Sequence, residues 1–108
     1  YKQFKPHLQQ AIELTQKSTF KSTGLKLNIA ANYGGQWDIT QAFRRITEDM
    51  ASGKLINPII SPQLIEQYLT LSDVPKPDLF IRTSGEKRIS NFMIWHLAYT
   101  ELYFTDVL

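Results

Sequence analysis

The sequence predicts an α/β fold in which a parallel sheet is flanked by helices. Short runs of strand character, Leu25 to Tyr33, Asp78 to Arg82 and Glu101 to Phe104, punctuate the chain. Helical apolar spacing fills the intervals between them. Strands separated by helices pair in parallel and connect by right-handed crossovers.

Each element has its own signal. Pro6 opens a helix carrying Leu8, Ala11, Ile12 and Thr15 at helical spacing, and Ser22-Thr23-Gly24 breaks it. "LKLNIAANY" alternates through Leu25, Leu27 and Ile29 and then turns apolar on both faces, as in a strand covered on both sides. Gly34-Gly35 ends it. From Trp37 to about Met50, Ile39, Ala42, Phe43, Ile46 and Met50 form one helical stripe, with Asp38 in the first turn, where the helix dipole favours a carboxylate. Ser52-Gly53 stops that helix. Ser61-Pro62 caps the next, whose Leu64, Ile65, Tyr68 and Leu69 face inward until "VPKP". "DLFIR" is a short buried strand, Asn91 to Tyr99 a helical piece, and "ELYF" a third strand. The predicted order is helix, strand, helix, helix, strand, helix, strand. Trp37, Trp95, Tyr99 and Phe104 are expected in the core.

Composition narrows the function classes. The chain has 108 residues, 43% of them hydrophobic, enough for a core and too many for wholesale disorder. A net charge of +2 gives no electrostatic case for nucleic acid. The chain has no cysteine, so disulfides and thiolate metal sites are excluded, which fits a reducing compartment. No apolar run is long enough to span a membrane, and the N-terminus has no signal-peptide pattern. The chain begins at Tyr1 and stops on the apolar "ELYFTDVL", so it reads as a piece of something longer.

Ligands of an open parallel sheet bind beyond the carboxyl ends of its strands. Two loops there lead from a strand into a helix: Asn32-Tyr33-Gly34-Gly35 and Arg82-Thr83-Ser84-Gly85-Glu86-Lys87-Arg88. In the first, glycines would let backbone N–H groups approach a ligand. In the second, Arg82 and Arg88 offer planar donor forks suited to phosphate oxygens, joined by the Ser90 hydroxyl and the N–H groups near Ile89 and Ser90. Two arginines favour a diphosphate. The competing reading is a solvated loop in which Arg82 pairs with Glu86 or Asp78. Glu101, isolated within "AYTELYF", is either an edge-strand glutamate facing water or a Mg²⁺ ligand. His7 and His96 have no partner at metal-ligand spacing and are surface or packing residues. No nucleophile triad, Walker-type loop or dinucleotide glycine pattern is present.

"LNIAANYGGQWDI" and the later "PDLFIRTSGEKRISNFMIWHLAYTELYFTDVL" closely resemble the cis-prenyltransferases, specifically the bacterial kind that makes undecaprenyl diphosphate. The likeness covers nearly the whole chain from about Gly24 onward. It implies chain elongation that adds isopentenyl diphosphate, with cis geometry, to a farnesyl diphosphate primer with the help of Mg²⁺. The product is the lipid carrier for cell-wall sugars. Carried over by motif, Arg82 and Arg88-Ile89-Ser90 resemble the binders of the isopentenyl diphosphate head group, and Glu101 resembles the Mg²⁺ ligand. Asn32, Asp38 and Glu86 are expected to shape the site.

Gln36 stands where "YGGRWD" is commoner in the family, and Lys87 stands where some members have histidine. The family's N-terminal half, with a strand ending in "DGNGRWA" and its essential aspartate, has no counterpart here. Residues 1–108 are therefore expected to be the C-terminal portion of a single domain, inactive alone and containing no catalytic residue of its own. The resemblance further implies a homodimer in the cytoplasm, with peripheral contact at the inner membrane face expected from the long lipid product. A non-catalytic subunit of the same family and a generic phosphate-binding α/β domain remain as alternatives.

Overall fold

The computed structural model describes residues 4–108. In chain order the elements are α1 (Pro6–Thr19), α2 (Gly35–Ala51), α3 (Pro62–Tyr68), β1 (Leu79–Arg82) and β2 (Glu101–Phe104). Pro6 begins α1 as expected, since the first turn needs no N–H from it. No residue of α1 is buried.

The core lies between α2 and α3. Ala42 and Ile46 of α2 meet Ile65 of α3 and Leu69 just beyond it, with Ile39, Leu55, Leu64, Tyr68 and Trp95 packed around them. Ser61 caps α3, its Oγ accepting from the Leu64 N–H at 3.2 Å. Gly53, at φ +74°, ends α2 in the left-handed conformation that glycine adopts without a Cβ penalty. Phe43 and Met50, expected on the buried stripe, are instead exposed. The stripe that actually packs is narrower than the periodicity suggested.

β1 and β2 pair in parallel, Leu79 opposite Glu101 and Arg82 opposite Phe104. Alternation along a strand puts Phe80, Arg82, Leu102 and Phe104 on one face and Leu79, Ile81, Glu101 and Tyr103 on the other. Phe92 covers the first face. Its ring stands 6.2 Å from Phe80 and 5.8 Å from Tyr33, and Phe80 is 6.2 Å from Phe104. The second face is open.

Three expectations are corrected. Residues 25–33 form no strand, and Leu25, Leu27 and Ile29 are exposed, Leu25 at 95%. A strand exists only against a partner's ladder, and no described strand lies alongside this segment. Residues 91–99 form successive turns instead of a helix, because Asn91 and Met93 have positive φ (62° and 44°), which interrupts helical geometry. Trp37 and Tyr99 are exposed, Tyr99 at 97%, while Trp95 and Phe104 are half-buried.

The surface is large for the mass. The solvent-accessible area is 9035 Å², whereas a compact protein of this size exposes about 6,200 Å². The radius of gyration is 16.9 Å, against about 13 Å for a compact chain of this length. Large apolar side chains contribute to it: Leu25, Leu27, Ile29, Ile59 and the Leu79, Ile81 and Tyr103 of the open sheet face are all exposed. No helix among the described residues is long and apolar enough to cross a membrane.

Candidate functional site

The loop after β1 is folded around its own first residue. Beyond the strands the two segments stay joined by backbone hydrogen bonds, Thr105 N donating to Arg82 O at 3.0 Å, Ser84 N to Val107 O at 3.0 Å and Gly85 N to Thr105 O at 3.0 Å. Ser84 (φ 69°) and Gly85 (φ 71°) then turn the chain. The Arg82 side chain closes the loop, Nη1 donating to the Arg88 carbonyl and, at 2.6 Å, to Ser90 Oγ. Nε and Nη2 of Arg82, and the N–H groups of Ile89 and Ser90, have no protein acceptor among the described residues. These donors suit an anion at the carboxyl end of the strand.

The local pairing differs from the one weighed above. Arg82 pairs with neither Glu86 nor Asp78; Glu86 instead holds Arg88, Oε2 to Nη2 at 2.6 Å. Both partners are largely exposed, so this pair contributes little stability and is readily exchanged for another anion.

The glycine loop also acts differently from expectation. The N–H of Gly35 is already engaged within the protein. Gly35 N donates to the Asn91 carbonyl at 2.6 Å, and Gln36 N to Asn91 Oδ1 at 2.8 Å. The first N–H groups of α2 are therefore satisfied by a residue adjoining Ser90. The glycines make the approach possible. A Cβ on Gly34 would lie 2.9 Å from Asn91 Nδ2, and one on Gly35 2.8 Å from Ile94 Cγ1. Ser90 (φ 45°) and Asn91 (φ 62°) are consecutive left-handed residues, each costing about 1–2 kcal/mol unless the surroundings hold it there.

Asp38 lies beneath this junction, 1% exposed. Its Oδ2 accepts from the Tyr33 hydroxyl at 2.8 Å, and its Oδ1 from Thr70 N at 2.9 Å and Thr70 Oγ1 at 2.8 Å. Burial, and then the bond to Asp38, push the Tyr33 hydroxyl well above the usual tyrosine range, so it stays protonated and donates. Asp38 thus ties the Tyr33 loop and the segment after α3 to α2. Asn32, at φ 53°, precedes Tyr33 on the exposed side of the turn.

Glu101 is not part of this cluster. It is level with Leu79, at the start of β2, whereas Arg82 ends β1. Three residues of strand separate the two levels, about 10 Å, and strand alternation sends their side chains to opposite faces. Glu101 is exposed, and no group of three His, Cys, Asp or Glu able to hold a metal occurs among the described residues. The structure brings Arg82, Glu86, Arg88, Ile89 and Ser90 together, places Asp38 beneath the neighbouring helix start, and leaves Glu101 apart. His96 is buried, its Nδ1 without a hydrogen-bond partner among the described residues, and His7 is exposed. Sequence reasoning missed Asn91 and Thr70. Gly34-Gly35 did signal a close approach, but what approaches is Asn91 at Gly34 and Ile94 at Gly35.

A sequence model of the family described as "Putative undecaprenyl diphosphate synthase" matches residues 1–108. The chain belongs to this family of cis-prenyltransferases. It is 49% identical over 108 residues to the ditrans,polycis-undecaprenyl-diphosphate synthase ((2E,6E)-farnesyl-diphosphate specific) of Coxiella burnetii, covering all of this chain and 46% of that protein. It is 55% identical over 104 residues to the enzyme of the same name from Aliivibrio fischeri, covering 96% and 40%. Among solved structures, lavandulyl diphosphate synthase from Lavandula x intermedia, in complex with dimethylallyl diphosphate, superposes with a TM-score of 0.89 at 37% identity, covering 99% of this chain and 46% of that one. A probable undecaprenyl diphosphate synthase from Campylobacter jejuni gives 0.78 at 28% identity, covering 99% and 47%. The chain thus spans under half the length of these relatives. The parallel α/β fold and the family membership expected from the sequence both hold.

Proposed function

We propose that the complete protein carrying this chain is a cis-prenyl elongating enzyme that condenses isopentenyl diphosphate onto farnesyl diphosphate to make undecaprenyl diphosphate. The observation that carries the reading is the Arg82 loop. A guanidinium fixed on one nitrogen keeps its remaining donors free at the carboxyl end of a parallel strand, beside the N–H groups of Ile89 and Ser90. That donor set suits the head group of isopentenyl diphosphate. The names of the two bacterial relatives supply the reaction.

In the reaction, the allylic C1–O bond breaks and diphosphate leaves with the bonding pair. The isopentenyl double bond attacks C1, and a proton is lost from the new cation to restore an alkene. Arg82 and Arg88 bind and orient the isopentenyl diphosphate and offset repulsion between the two diphosphates. Asp38, through Tyr33 and Thr70, and Glu86, through Arg88, shape the site. Asn32 shapes the turn ahead of α2. No residue of this chain is assigned the chemical step, and residues 1–108 alone are expected to be inactive. The many exposed large apolar side chains support reading them as the C-terminal portion of one larger domain. The reading includes a cytoplasmic homodimer that meets the membrane peripherally to release its lipid product.

Mg²⁺ would ease departure of the diphosphate. Glu101 is a single exposed carboxylate remote from the Arg82 loop, so within this chain the two do not build one metal site. Glu101 is proposed only as one ligand of a set completed outside these residues. The Glu101→Gln enzyme is expected to need about tenfold more Mg²⁺ for half-maximal activity; an unchanged Mg²⁺ titration removes Glu101 from the set. The reaction itself is tested by supplying isopentenyl and farnesyl diphosphates to the complete enzyme and measuring product length. Failure to extend the primer would refute the assignment.

A further inference from the structure

We infer that Asn91 is a positioning residue which holds the Arg82–Ser90 loop in its diphosphate-binding shape by docking it on the first turn of α2, and that Gly34 is the matching recess. The inference rests on the proposed reaction and deepens it, naming what sets affinity for isopentenyl diphosphate.

Ser90 is the side chain that Arg82 grips, and Asn91 follows it directly. Asn91 has two acceptors, and both are used on α2: its carbonyl by Gly35 N at 2.6 Å and its Oδ1 by Gln36 N at 2.8 Å. These N–H groups have no acceptor within the helix, and they fix the loop's far end as the backbone bonds of Ser84 and Gly85 to Val107 and Thr105 fix its near end. Phe92, next in the chain, packs against both Tyr33 and Phe80. The loop is thus pinned at its two ends, with Arg82 bridging the middle. Two consecutive left-handed residues, Ser90 and Asn91, would relax without such pinning, and relaxation would carry Ser90 Oγ and the Ile89 and Ser90 N–H groups away from Arg82. Asparagine suits the task because it tolerates positive φ and its side chain accepts as a helix cap does.

The recess is specific. Gly34 has φ −147° and ψ 133°, a conformation open to any residue, so its backbone does not require glycine. The side chain of Asn91 does, since an added Cβ would lie 2.9 Å from Asn91 Nδ2. Gly34→Ala should therefore displace the Asn91 amide without changing Asn91 itself.

The test uses steady-state kinetics of the complete enzyme, with folding of each variant checked by circular dichroism. Asn91→Gly keeps the positive φ and removes Oδ1. It is expected to raise the KM for isopentenyl diphosphate about tenfold, with kcat changed by no more than about twofold. Gly34→Ala should raise KM in the same direction and have no effect in the Asn91→Gly background, where the amide is gone. In the Arg82→Ala background, Asn91→Gly should add less than about twofold, because it acts through Arg82. Unchanged KM in the folded Asn91→Gly or Gly34→Ala enzyme overturns the inference, as does an equal increase in both Arg82 backgrounds, the mark of a merely structural role. Should Asn91→Gly fail to fold, Gly34→Ala alone and combined with Arg82→Ala decides by the same criterion. An unmodified enzyme that does not use isopentenyl diphosphate sinks the proposed function and this inference together. An active one with unchanged variants sinks only this inference.

Discussion

Arg82→Ala in the complete enzyme should lower kcat/KM for isopentenyl diphosphate about 100-fold, a loss of about 3 kcal/mol in transition-state binding. Two effects combine. A charge-assisted contact to phosphate contributes roughly 1.5–3 kcal/mol. The same side chain also ties Arg88 O to Ser90 Oγ, so its removal loosens the donors around it. Arg82→Lys should fall between wild type and alanine, since an ammonium keeps the charge but cannot grip two protein oxygens and a phosphate in one plane. Arg88→Ala should cost less, about tenfold, because its guanidinium is exposed and already paired with Glu86. Steady-state kinetics with isopentenyl diphosphate as the varied substrate make the comparison. Equal kinetics for Arg82→Ala and wild type would remove Arg82 from the site.

Asp38→Ala should be the most destabilising single change among the buried polar residues described. Its carboxylate is the common acceptor for Tyr33 Oη, Thr70 N and Thr70 Oγ1. Truncation leaves these donors without their shared acceptor around a buried position, at a cost of about 3 kcal/mol. Asp38→Asn keeps the shape and one acceptor oxygen and lets the amide donate to Tyr33 Oη, so it should cost about half as much. Urea denaturation of the three proteins measures both values. If Asp38→Ala unfolds at the wild-type urea concentration, Asp38 does not brace the junction.

The periodicity-based readings succeeded where one element decides its own form. Pro6, Ser61-Pro62 and Gly53 marked helix ends that the structure reproduces, because capping and proline geometry are satisfied within a few residues. The parallel pairing of β1 with β2 was also legible, since a crossover separates them in sequence. Residues 25–33 were misread as a strand, because alternation can announce a strand but cannot supply its partner. Residues 91–99 have helical composition, yet Asn91, docked on α2, and Met93 take positive φ and break the helix into turns.

The sequence by itself determined the α/β class, the proline and glycine signals that start α1 and α3 and stop α2, and the gathering of Arg82, Glu86, Arg88, Ile89 and Ser90 in one loop, since nine consecutive residues cannot stray far from one another. Only the tertiary structure decided that Asn91 fills the space Gly34 leaves and Ile94 the space at Gly35, that Asp38 joins Tyr33 to Thr70, and that Glu101 lies on the opposite face from Arg82. Those facts depend on strand register and on hydrogen bonds between residues far apart in the chain, which local periodicity does not encode.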